Sequence, residues 1–552
     1  MPATIEDIDL HVRSYRSALK STLEITINSL TNSHLKMEPI LHSLAQSPNT
    51  IDIDALIYSL LRLPSQIDLV DKIIIGQTPA VFAEGGFNDV ETWPQVYAPS
   101  RRRTSHYNKI KKLLAVFAGS VSDVDDLVNL LIAYQYQWNK FHQILTTKFS
   151  SFSEIKKSYD SKTLNKTINI SDLDWQSFIY ALDGQPLARL KLIYQQPLNL
   201  RLQLLAGSWV DYTKATQYWY RHIARSLSQY HLSNQTIYFV SSNLHSLSNL
   251  ITGLPSINQN KILEYIKKEK PDLYQVWQQI QAKNYHLHPH DFLAYCSQFL
   301  KIDTKKIFSS LSISQINSLH YLDINTQIFP LSALVKSKSL DSRLHINNPT
   351  NLSSSKSLIF NIDYPLGFAA YHILSELLQN IGKIKGVYIL GKAAILNSEI
   401  GDIQIPRTVF DEHTQNTYIF KNCFNSFFPY INEQGSILTN QKAVSVISTF
   451  LENQALLKKY SEHNFTIIEM ESGSYLSALA ESTYDQPVPK NTIIDLNSSD
   501  IDIGIINYAS DTPYSHAKNL GANRLTLNGV QPVYISSLAI LQRIIDLEEQ
   551  SK

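Results

Sequence analysis

Apolar positions along this chain change their spacing near Thr236. Up to that point they read as helices. Val124, Leu127, Leu131, Tyr134 and Trp138 recur every three to four residues, the spacing that gathers side chains on one helical face. Ser122 and Asp123 stand where a helix cap belongs. A second amphipathic run covers Leu200 to Leu227, and its aromatics Trp209, Tyr212, Tyr218 and Trp219 read as core rather than as a ligand cage. These runs predict an N-terminal all-α domain over residues 1–230, with nothing catalytic in it.

At Thr236 the pattern becomes strand, polar loop, helix: TIYFV, then SSNLHS, then an apolar helix ending at Gly253. Lys- and Gln-rich helical text returns at Leu254, and we read a helical insertion at about 254–345. Beyond the polar SSSKS, strands and helices alternate: SLIFNI, a helix from Ala369 to Asn380, GVYIL, DIQIP, NTYIF, FTIIEM, GIINYAS and a closing helix to Glu549. This rhythm predicts an α/β C-terminal domain over 231–552, a mixed central sheet flanked by helices, with Ile237–Val240 supplying its first strand.

Composition narrows the classes. A chain of 552 residues has room for two to four domains, and 43% apolar residues suffice for their cores. Lys+Arg of 49 against Asp+Glu of 48 leaves +1, so no global field draws in nucleic acid or an anionic membrane. Cys296 and Cys423 make neither a disulfide framework nor a zinc set, and read as reduced thiols of a cytosolic protein. The opening MPATIEDIDLHVRS has no apolar core of the signal-peptide kind, and no apolar run approaches the ~18 residues of a membrane span. The expectation is a cytoplasmic protein whose partner is a small molecule, not nucleic acid or membrane.

The densest chemistry lies in FTIIEMESGSYLSALAE. Glu469, Met470 and Glu471 end an apolar strand and open a small-residue helix, the place where α/β sheets hold ligands. A second strand end, GIINYASD, finishes on Asp511. Together they offer a carboxylate pair for a sugar diol and a separate acid for a leaving group.

Read with Gly391 to Ala394 and Gly401-Asp402, these motifs resemble, in order and rough spacing, the central stretch of the nucleoside phosphorylase superfamily. The resemblance runs from Leu358 to Asp511 and leaves the N-terminal half uncovered. It implies a C-terminal domain of nucleoside phosphorylase type and cleavage of the N-ribosidic bond of a purine nucleoside or nucleotide. In that frame Glu471, beside Glu469, accepts hydrogen bonds from the 2′- and 3′-hydroxyls and Met470 packs on the sugar. Phe450 stacks the base, and Asp511 assists its departure. Phosphorylases carry Arg-x-Gly-Ser/Thr at the phosphate turn, where this chain has Ile389-Leu390-Gly391-Lys392 and then two alanines. The missing guanidinium leaves Lys392 as a point charge and favours water as nucleophile. Phosphorolysis, with inorganic phosphate as co-substrate, is the alternative; a non-catalytic nucleotide-binding regulator is a third reading. No other cofactor and no metal is expected.

A looser similarity to AMP nucleosidases rests on the added N-terminal domain and on SDTPYSHAKNLGANRL, opened by Asp511 and closed by Asn523-Arg524. Related enzymes are oligomeric, so a homo-oligomer is expected. A substrate phosphate has candidates in the loop Ser242, Asn243 and His245 before a helix, in Lys392, in Arg343, and in Arg101-Arg102-Arg103, which reads as a solvated loop. Asp363 and His245 both stand as the water-activating base, and the sequence does not choose. The Asp-x-His of DEHTQN reads as a hairpin tip.

Overall fold

The computed structural model describes residues 3–182, 184–318, 322–425, 436–512 and 527–550. Its first half is not all-α. Strands β1 (Ile25–Thr26), β2 (Lys72–Gly76), β3 (Gln95–Ala98), β4 (Arg101–Asn108), β5 (Leu113–Phe117) and β6 (Arg201–Leu204) form a six-stranded sheet ordered β1-β6-β2-β5-β4-β3. The central pairs β2/β5 and β2/β6 are parallel. KIIIG and LLAVF are unbroken apolar runs, and a strand buried on both faces lacks the period-two signature that separates it from a buried helix.

RRRTSHYN, expected as a solvated loop, is β4. Helix Val121–Lys148, capped by Ser120 and not by Ser122, supplies the reason. Asp123 and Asp126 lie one turn apart on it and meet the strand's guanidinium groups. Arg103 donates to Asp126 at 2.7 Å and to Asp123 at 3.3 Å, and Arg101 donates to the other Asp126 oxygen at 2.7 Å. Asp126 is buried, yet its two guanidinium partners hold its pKa below the ordinary carboxylate value against the pull of burial.

The second sheet has eleven strands. In chain order they are β7 (Thr236–Ser241), β8 (Ser314–Ile316), β9 (Thr326–Pro330), β10 (Leu358–Ile362), β11 (Lys383–Ile395), β12 (Ile403–Asp411), β13 (Asn416–Ile419), β14 (Ile437–Ser445), β15 (Ile467–Glu469), β16 (Ile493–Asp495) and β17 (Asp502–Asp511). β7 lies between β10 and β11 and runs parallel to both. The pairings β11–β17, β17–β12, β12–β14, β14–β15 and β15–β11 close into a circuit, which leaves those strands no free edge. The stretch 254–345 is not purely helical. Several short helices there are followed by β8 and β9, which extend the sheet, β9 antiparallel to β10 and β8 antiparallel to β9.

Gly391 to Ala394 is not a turn either. β11 runs through it without a break, because the second glycine is replaced by Ala393-Ala394, and both neighbours, β15 and β17, pair with it there. Side chains alternate along β7: Ile237 and Phe239 join one core, Tyr238 and Val240 another. A third core starts in the N-terminal half and continues into Val444, Val446, Leu457 and Ile468 of the second half. The two halves therefore share an interior. No helix among the described residues is long and apolar enough to cross a membrane.

Removing one partner of a buried ion cluster leaves the others uncompensated. Asp126→Ala is expected to lower the unfolding free energy by about 3–5 kcal/mol, read by urea denaturation; a loss under about 1 kcal/mol, the range of exposed pairs, would show that the cluster is solvated.

Candidate functional site

A cavity of about 760 Å³ opens where β4 faces the carboxyl ends of β7, β10, β11 and β15. Arg101, Arg102 and Arg103 wall one side; Asn243, His245, Asp363, Lys392, Glu469, Met470 and Glu471 belong to the other. It lies at the strand ends where sheets of this kind collect ligands.

The two glutamates do different work. Glu469 is 5% exposed. Its Oε2 accepts the N–H groups of Glu471 and Ser472, at 2.8 and 2.7 Å, and its Oε1 accepts the Ser445 hydroxyl. Ser445 in turn accepts the N–H of Gly473 at 2.6 Å. These are the donors that the start of helix Ser472–Tyr484 leaves without helical partners, so Glu469 serves as an internal cap. Glu471 is left facing the cleft, and its carboxyl accepts the Gly367 N–H at 3.4 Å. Protein surrounds the cleft, so burial, reinforced by neighbouring Glu469, pushes the Glu471 carboxyl up to about 8.

Gly367 ties three elements together. It sits at φ +51°, where L side chains are strained, and a Cβ there would lie 2.4 Å from Ser122 Oγ. The same Ser122 oxygen accepts the Phe368 N–H at 2.8 Å. The N-terminal helix thus docks against the backbone that also meets Glu471.

Asp511 reaches this end of the sheet through a bulge. Ala393 pairs with Ala509, but the next residue, Ala394, pairs with Asp511, one step further on. Without that slip Asp511 would pair with Ile395 and leave the sheet on the opposite face. It stands instead in register with Ala394, a wall residue, and is itself buried behind the wall. Asn523 and Arg524 lie outside the described residues.

The remaining expectations divide. Asp363 is in the wall, ion-paired with Arg102; burial raises its pKa against that guanidinium. Lys392 is in the wall, its pKa lowered by burial first and by Arg62 second. His245 has Nδ1 3.3 Å from the Tyr534 hydroxyl, and burial, with Lys392 nearby, drops its pKa to about 4. Asn243 Oδ1 already accepts the N–H groups of His245 and Ser246, at 3.0 and 2.7 Å, so donors proposed for a phosphate are in use. Ser242 lies behind the wall and donates to Asn361 at 2.8 Å. Gly391 also lies behind it, close against Asn507. Phe450 turns away from the cleft: its ring stands edge-on to Tyr58 at 5.3 Å and near His34 at 6.2 Å, in the shared core. An aromatic in the short helix five residues beyond the end of β14 has no sequence signal for which side it takes. Arg343 is elsewhere, clamped by Asp291 and Asp341 at 2.6–3.0 Å. Asp411 and Asn416 close the β12–β13 hairpin, and that Asp-x-His belongs to no metal-competent group among the described residues.

The chain belongs to DUF6909, a family of unknown function, whose profile matches residues 27–546. No curated protein matches it. Among solved structures, a futalosine hydrolase mutant of Helicobacter pylori strain 26695 is 9% identical, covering 56% of this chain and 99% of that one, at a TM-score of 0.30. An S-adenosylhomocysteine nucleosidase from Streptococcus pyogenes is 11% identical, covering 58% and 98%, at 0.29. The apo 5′-methylthioadenosine nucleosidase of Arabidopsis thaliana is 9% identical, covering 58% and 98%, at 0.30. Likeness at this level assigns neither an activity nor a ligand.

One wall feature was placed in the wrong element and another was missed from sequence. The arginines of β4 were assigned to a loop, although Asp123 and Asp126 at helical spacing just downstream mark partners for them. Glu452, 6% exposed and in the wall, carried no motif at all.

The raised Glu471 pKa has a consequence for stability. The folded chain holds this proton more tightly than the unfolded one, so the group favours folding at low pH. That contribution is lost as pH rises from the ordinary 4.5 through about 8. Across that window the melting temperature of the wild type should fall relative to Glu471→Gln; a constant difference between the two would contradict the burial of this carboxyl.

Proposed function

We propose that the cleft binds a purine nucleoside or nucleotide and hydrolyses its N-ribosidic bond. The observation that carries this reading is the division of labour at Glu469-Met470-Glu471. One carboxylate is consumed in holding the backbone, which leaves the other presented, rigidly based, to the cleft. Glu471 accepts hydrogen bonds from a vicinal diol, and as an anion it stabilises the positive charge that develops on the sugar in an oxocarbenium-like transition state. Diol donors favour its ionised form, so binding brings its pKa down from about 8.

The C1′–N bond breaks with its electron pair going to the base, and the oxygen of water bonds to C1′. One water proton is released, and the base nitrogen gains one with Asp511 as the acid, a role worth about 10²–10⁴-fold. The bulge brings Asp511 into register with Ala394 of the wall, and because its side chain is buried behind that wall the acid role requires the wall to open toward it. Asp363, a wall carboxylate ion-paired with Arg102, is assigned to activate the water; His245, dropped to about 4, is a weak base at neutral pH. Met470 offers an apolar surface to the sugar. Lys392 and the β4 arginines supply positive charge in the wall for a substrate phosphate.

Base release from purine nucleosides and nucleotides, followed by absorbance with and without inorganic phosphate, tests the reading. Phosphate-independent release is expected. Release only with phosphate would make the protein a phosphorylase, and tight binding without release would make it a nucleotide-binding regulator. Glu471→Gln should lower kcat/KM at least about 100-fold with the fold intact by circular dichroism. Asp511→Asn should slow substrates with poor leaving bases more than those with activated ones; equal losses would remove the acid role.

A further inference from the structure

Glu452 is absorbed by none of this chemistry. It follows β14, in the turn that runs from Val446 through the short helix Thr449–Leu451, and it forms part of the cavity wall with Val446, Thr449 and Ile468. Although it is only 6% exposed, its carboxyl makes no hydrogen bond among the described residues; only its backbone carbonyl is engaged, by the Ile40 N–H at 2.9 Å. A nearly buried residue whose carboxyl opens on the cavity without a hydrogen-bond partner among the described residues is the pattern of a group available to a ligand.

We propose that Glu452 reads the heterocycle of the bound ligand by a paired hydrogen bond, its hydroxyl donating to a ring acceptor while its carbonyl accepts from the adjacent N–H. This rests on the nucleoside reading above and adds the face of the base that is recognised. A neutral carboxyl offers one donor and one acceptor side by side, whereas a carboxylate offers acceptors only. The surroundings favour the neutral form. Burial, with Glu412 as the nearest acting charge, pushes Glu452 up to about 8. Glu412 itself is raised to about 7 and takes the Tyr460 hydroxyl. From the N-terminal half, His34 and His42 are kept neutral by burial, the Lys140 ammonium is held by four carbonyls, and Arg62 is stacked on Tyr58. None of them neutralises a charge on Glu452. An edge with a ring nitrogen beside an exocyclic amine, as in a 6-aminopurine, is the complement.

Formycin A, a carbon-linked adenosine isostere that water cannot cleave, provides the probe. Its Kd is measured by calorimetry between pH 6 and 9.5 for the full wild-type chain, Glu452→Gln and Glu452→Ala. Glutamine keeps one donor and one acceptor at every pH. Glu452→Ala should bind at least about 10-fold more weakly at pH 6.5, the loss of a hydrogen-bonded partner. Glu452→Gln should bind within about 3-fold of wild type there, and the ratio of wild-type to Gln affinity should fall about 10-fold per pH unit above 8. An alanine variant that binds as well as wild type, or a wild-type to Gln ratio flat in pH, overturns the inference while leaving the nucleoside reading in place. A wild-type chain that binds no formycin A overturns both.

Discussion

One carboxylate, that of Glu469, fixes the geometry of the cleft. It gathers two backbone N–H groups at the start of helix Ser472–Tyr484 and the hydroxyl of Ser445 from the adjacent strand. Strand β14, strand β15 and the helix are joined at that point. Because the hydrogen-bonding capacity of Glu469 is turned inward, Glu471 becomes the group that faces the cavity, and the Gly367 backbone that meets it also receives the N-terminal helix through Ser122. A single buried carboxyl, its pKa raised by burial against the pull of the hydrogen bonds it accepts from donors that a helix start leaves over, sets both the shape of the cleft and the meeting of the two halves.

The second organising device is charge held in layers. Arg101 and Arg103 belong to Asp126 and Asp123 beneath β4, whereas Arg102 reaches across to Asp363 and to the carbonyl of Tyr364 at 2.8 Å. The N-terminal sheet therefore contributes positive wall to the cleft without leaving its own interior uncompensated. Glu471 and Glu452, by contrast, are carboxyls kept from ionising easily. One is proposed to become an anion when a diol binds, the other to act while it keeps its proton. Two acids with similar titration but opposite demands let the pH dependence of binding and of turnover be told apart.

How much of this was legible varied with the kind of signal. Glu469, Met470 and Glu471 stood out because an apolar strand running into paired acids and a small-residue helix is a local pattern, and side-chain capping is equally local. The strand Thr236–Ser241 was readable for the same reason: β-branched and aromatic residues followed by a polar loop. KIIIG and LLAVF gave only short apolar runs, whose helical and extended readings are equivalent until a neighbour is known. Phe450 failed as a base-stacking residue because which face an aromatic takes depends on what packs there, and Tyr58 and His34 of the other half claim it.

By itself the sequence determined the identity and order of the chemical groups: the acids at two strand ends, the lysine after Gly391, and a net charge of only +1. Those are properties of residue type and local period. Only the tertiary structure decided that Asp511 lies in register with the wall, since a one-residue slip in a ladder depends on the partner strand. It alone made strands of the arginine run and brought Glu452, remote from every motif, into the cavity. Such placements are set by long-range packing, whose energy comes from contacts between residues distant in the chain.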